Sequence, residues 1–117
     1  MAGVMCKKIM NKPIAHTKLT GITAEGEKQK IEIIIGTPYK VEHNDDLEEW
    51  ACPVSLMPLY KNLHDAHGGD SFQALCLAAS LIINLLTAYK EKGGRLVIDG
   101  GDDFPLESYW FGQAKST

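Results

Sequence analysis

The sequence predicts an α+β domain, a mainly antiparallel sheet packed against one long α-helix. Three observations carry that prediction. Ile31, Ile33 and Ile35 alternate with Lys30 and Glu32, the period-2 pattern of a strand with one buried face. The β-branched run from Ile14 to Ile22 precedes it across the turn Thr23–Glu27, where Gly26 supplies the positive φ of a hairpin loop. Finally, the 19 residues from Ser71 to Tyr89 carry no charge and stand between helix-start and helix-stop signals.

Taken in order, residues 1–12 read as a loosely held arm, and the hairpin follows over Ile14–Ile22 and Lys28–Ile35. Gly36-Thr37-Pro38 ends it. The acidic run 42–49 reads as a solvated loop, its charges kept in water by mutual repulsion. Trp50–Val54 is expected to be a short strand, at an edge or ending at Pro53, which has no N–H for a ladder. Leu56, Leu59, Tyr60 and Leu63 recur at helical spacing, so a turn or two of helix is expected between Ser55 and Gly69.

Asp70 is the expected N-cap of the long helix, and Gln73 completes a capping-box pattern. Gly93-Gly94 stops the helix after Lys90 and Lys92, whose charges suit the negative end of the macrodipole. A strand over Arg95–Asp99 should place Leu96 and Ile98 on one face. Gly100–Asp103 is a turn, Phe104–Phe111 an edge segment and 112–117 a tail.

The 117 residues read as a single domain, 44% hydrophobic and 23% charged, which is ordinary globular composition. A net charge of −3 argues against a nucleic-acid surface, which needs a basic face to displace counterions from phosphates. The uncharged helix approaches the length of a membrane span. However, Gln73, Ser80, Asn84 and Thr87 form an ordered polar stripe along it and no basic cluster flanks it, so no membrane span is expected. Cys6, Cys52 and Cys76 form no pairing framework and no C-x-x-C, and no signal-peptide core follows Lys7-Lys8. Free thiols without an export signal point to the cytoplasm.

Trp50-Ala51-Cys52-Pro53, Gly69-Asp70-Ser71-Phe72-Gln73-Ala74-Leu75, Leu77-Ala78, Gly94-Arg95-Leu96 and Phe104-Pro105 form an ordered set. It resembles a group of small, uncharacterised bacterial proteins that share a W-x-C-P strand, a G-x-D-S/A-x-Q-A-L helix start and a late F-P. The resemblance covers about residues 14–106 and implies a compact α+β domain with no established activity, so it transfers no catalytic residue. The long acidic loop and His64-Asp65-Ala66-His67 depart from that pattern.

None of the chemistry-bearing residues forms a strong enzyme signature. His64 and His67, with Asp65 and Asp70 nearby, lack the four-residue spacing of a helical metal pair and a third ligand, so no metal is expected. Cys52 beside Trp50 reads as a small core residue rather than a nucleophile, and Cys76 as buried and inert too. The glycine pairs lack the G-K-S/T that grips phosphate, and no cofactor is expected.

Two functional readings follow. The first is a non-enzymatic protein-interaction or accessory module acting as a homodimer, its acidic loop 42–49 suited to a basic partner. The apolar arc of the helix is wider than one small sheet can cover, so Phe72, Leu75, Ala79, Ile82, Leu86 and Tyr89 are the expected dimer face. The second is a small-ligand binder or hydrolase with a pocket between the third strand and the start of the long helix. Trp50 and Tyr60 would wall it, while His64, His67 and Ser71 supply polar groups beside a helix N-terminus. An enzyme would require Cys52, His64 and Asp70 to converge.

Overall fold

A computed structural model of the chain describes residues 12–43 and 46–109. The expected arm, up to residue 11, and everything after Tyr109, including the tail, lie outside the described residues. The fold is α+β, with two antiparallel sheets packed against one long helix. The four-stranded sheet has the order β5-β2-β1-β7, where β1 is Pro13–Ile22, β2 Lys28–Gly36, β5 Val54–Met57 and β7 Arg95–Val97. The three-stranded sheet has the order β3-β4-β6, comprising Tyr39–Lys40, Trp50–Cys52 and Ala66–Gly68. Helix α1 spans Ser71–Glu91, and a short 3-10 helix follows at Leu106–Tyr109.

The hairpin folds as its alternation dictates. Leu19 pairs with Ile31, Thr17 with Ile33 and Ala15 with Ile35, which puts these residues on the helix-facing side of the sheet. Ile31, Ile33 and Ile35 are buried there. Ile34, on the opposite face, is buried as well, which the alternation did not predict. Helix α1 buries Ala74, Ala78, Ile82 and Leu86, spaced four apart along one stripe. The side chain of Asp70 accepts a hydrogen bond from the Gln73 N–H at 2.7 Å, and the Gln73 side chain accepts from the Gly69 N–H at 2.6 Å. At the other end Gly93 takes φ +98°, and its N–H donates to the Lys90 carbonyl, closing the helix as a C′ glycine does.

The short strand expected from Trp50 ends at Pro53, as the missing N–H requires, and Val54 runs onward into the other sheet as β5. Other expectations are corrected. The Ser55–Gly69 region forms no helix. Leu56 is buried in β5, Leu59 and Leu63 pack on the core from turns, and Ala66–Gly68 is a strand. The helical spacing there arose from residues that reach one core out of several short pieces. The strand expected over Arg95–Asp99 stops at Val97, leaving Ile98 36% exposed in the turn. Of the segment expected after Phe104, the described part is the 3-10 helix, whose Leu106 is buried.

Candidate functional site

An apolar groove of about 420 Å³ lies between the four-stranded sheet and the flank of α1. It exists because the helix does not cover the whole inward face of the hairpin. Leu19 is buried, but Ala15 and Thr17 belong to the same inward row and remain exposed. Ile33 and Ile35 form the neighbouring wall, and Ala79, Ile82, Ile83 and Leu86 supply the helix side. Phe104 and Tyr109 complete the lining, their rings stacked with centroids 5.0 Å apart. Among the described residues that line it, His16 and the Tyr109 phenol are the titratable groups, and His16 Nε2 lies 2.7 Å from Glu32 Oε2.

The groove lies beside an open strand edge. Strand β1 has ten residues, and β7 pairs with Thr20, Gly21 and Ile22, leaving the seven residues Pro13–Leu19 without a neighbour on that side among the described residues. The Thr23 N–H donates to the Glu27 carbonyl and the Gly36 N–H to the Pro53 carbonyl. In an antiparallel ladder the bonded pairs recur at every second residue, so Thr17 and Leu19 bond toward β2. His16 and Lys18 therefore direct their N–H and C=O groups outward at the open edge.

Of the expected site residues, Trp50 and His67 stand on the paired strands β4 and β6, with Trp50 opposite Gly68. Trp50 is half-buried, its indole N–H donating to Glu48 Oε2 at 3.1 Å. Tyr60 and His64 are exposed, Ser71 opens the helix, and His67 bonds through Nδ1 to Glu49. Cys52 and Asp70 serve elsewhere. The Cys52 thiol donates to the Gly36 carbonyl at 3.4 Å, and Asp70 caps α1. Of the expected dimer face, Ile82 and Leu86 are buried in the chain's own core, which removes them from any exposed patch and makes them the floor of the groove. Ala79 lines the same groove, and Phe72 remains 74% exposed. Leu75 is half-buried against the core. So is Tyr89, its hydroxyl buried and unpartnered, where a Cβ at Gly21 would come within 2.6 Å of it. Ala15, Thr17, Ile33, Ile83, Phe104 and Tyr109 were missed, since no periodicity reveals where a helix stops covering a sheet.

The acidic loop is partly neutralised from within. Glu49 bonds through one oxygen to His43 Nε2 and through the other to His67, and Glu48 lies 3.9 Å from Lys40 Nζ. Those two histidine bonds hold the Glu49 carboxyl below its ordinary 4.5. A carboxylate with a depressed folded pKa contributes stability above its unfolded value and loses it as pH falls through the folded one. Glu49→Gln should therefore show a shallower decline of the thermal unfolding midpoint than the parent protein below about pH 4.5. Coincident acid limbs would contradict the bridge. Among the described residues no three His, Cys, Asp or Glu side chains are grouped to hold a metal ion.

Cys52 is fully buried, and desolvation, reinforced by Asp65, pushes its thiol up to about 11. Cys76 is only half-buried, a correction to the expectation that both are enclosed, and Cys6 lies outside the described residues. Native protein treated with iodoacetamide should be modified far more slowly at Cys52 than after unfolding in guanidinium, as read by peptide mass mapping. Comparable native and unfolded rates at Cys52 would contradict its enclosure.

No curated protein and no solved structure matches the chain. The sequence pattern of one family does match, over residues 15–107. With most of its length matched, the chain belongs to the family described as a domain of unknown function, DUF6968.

Proposed function

We propose that the domain is a non-enzymatic protein-interaction module that docks through the groove between the β1–β2 hairpin and α1. The observation that carries this reading is an inward sheet row, Ala15 and Thr17, left uncovered beside apolar helix residues. Burying such a row is favourable at about 25 cal/mol per Å² of apolar surface, so a groove of this kind rewards a partner that fills it. The helix supports the same reading. Its most apolar 18-residue window has a mean hydropathy of 1.7, yet only 22% of that window is buried. That is surplus apolar surface even for a core helix. A cytoplasmic setting suits the buried reduced thiol of Cys52.

A second reading rests on the volume. About 420 Å³ falls within the range of small-molecule sites, so an apolar ligand would also fit. The dye 1-anilinonaphthalene-8-sulfonate tests the groove directly. Its fluorescence should rise with the native protein and fall several-fold with Ile83→Glu, while unfolding of the variant stays cooperative. No rise with the native protein would overturn the groove as a docking site. Displacement of the dye by decanoate or indole at micromolar concentration would favour the small-ligand reading instead.

A further inference from the structure

We infer that the occupant of this site is a second copy of the chain, added strand to strand at the open edge of β1 about a two-fold axis through His16. The inference rests on the docking reading above and names its partner. The unpaired edge requires an extended backbone, because the outward N–H and C=O groups of His16 and Lys18 are placed for an antiparallel ladder. Strand addition supplies main-chain bonds at the edge while alternate side chains meet the groove.

The chain itself provides a strand that fits. With His16 opposite the partner's His16, Ile14 faces the partner's Lys18 and Ala15 faces the partner's Thr17. No two lysines and no two carboxylates then stand opposite each other along β1. The rim imidazole at the axis already has an anionic neighbour in Glu32 at 2.7 Å. Across the inward row the facing side chains are small, so the two backbones can approach while the two grooves merge beneath one continuous sheet. Pro13 and the register shift between Pro13 and Ala15 end the ladder on one side, and β7 ends it on the other, at Thr20. The open stretch thus favours one register. A single two-fold contact closes both open edges, whereas a foreign strand would leave its own far edge unpaired.

Seven extended residues span about 23 Å. Sheet and helix together stand about 20 Å tall, so the footprint is on the order of 450 Å² per copy. Stable dimers bury about 800 Å² per partner, which places this association in the weak, concentration-dependent class.

Sedimentation equilibrium between about 5 and 500 µM should show the mass rising from 12.9 kDa toward twice that value. His16→Pro removes an outward N–H and leaves the β1–β2 bonds in place, so it should weaken dimerisation at least tenfold with a little-changed unfolding midpoint. Lys18→Pro should do the same, and His16→Thr should still dimerise. A mass of 12.9 kDa throughout would overturn the inference. If the dye still binds that monomer, the groove reading survives with another partner. If it does not, as when the chain's own residues 110–117 occupy the groove, both readings fall. Dimerisation unimpaired in a folded proline variant would also overturn the edge-to-edge contact. Should both proline variants unfold, the amides of His16 and Lys18 in the unsubstituted protein decide it, since the inference requires their exchange to slow as concentration rises.

Discussion

Leu56→Ala should lower the stability of the domain by about 3 kcal/mol. Leu56 is fully enclosed at the centre of β5, paired with Ile33 and packed into the cluster that also holds Ile31, Val54 and Leu86. Removing its branched end loses transfer free energy and leaves a cavity that the flanking strands can only partly collapse. Leu77 is a built-in contrast. It lies 45% exposed on α1, and its truncation should cost well under 1 kcal/mol. Denaturant unfolding of both variants measures the difference directly. Equal losses would show that β5 is not part of the core.

Gly68→Ala should be comparably damaging, at about 2–3 kcal/mol. A Cβ built at Gly68 would lie 2.7 Å from the Ala74 backbone nitrogen and 3.0 Å from the Gln73 carbonyl carbon. Those obstacles are the backbone of the first helical turns, so neither can swing aside like a side chain. The substitution must push β6 off the N-terminal part of α1. Gly69→Ala, one residue on, meets at nearest the flexible end of Gln73 at 3.5 Å and should change stability by about 0.5 kcal/mol or less. Similar unfolding midpoints for the two variants would contradict the close seating of β6 against the helix.

The hairpin and the long helix were legible because each repeats its own period over many residues. Ile31, Ile33 and Ile35 alternate, and α1 is bounded by Asp70 and Gly93, whose cap geometry is local chemistry. The second sheet was largely illegible. Its strands are two or three residues long, too short to show a period, and tertiary contacts rather than propensity hold them. Leu56, Leu59 and Leu63 misled for the same reason, since their helical spacing comes from separate pieces meeting one core, while Tyr60 stays exposed.

The excess apolar surface of α1 was readable, but its allocation was not. Ile82 and Leu86 went to the chain's own core, and only the geometry of the sheet reveals that Ala15 and Thr17 stay uncovered beside them. The partner of His67 was illegible on a similar ground. His67 is drawn to Glu49 across the acidic loop, a contact between residues 18 positions apart that no local spacing announces.

Residue-resolved amide exchange along β1, run at dilute and at concentrated protein, tests the docking edge most directly. Thr17 and Leu19 bond toward β2 and should be protected at both concentrations, while His16 and Lys18 exchange freely when dilute and slow at least tenfold when concentrated. Equal protection of His16 and Lys18 at the two concentrations would contradict the account.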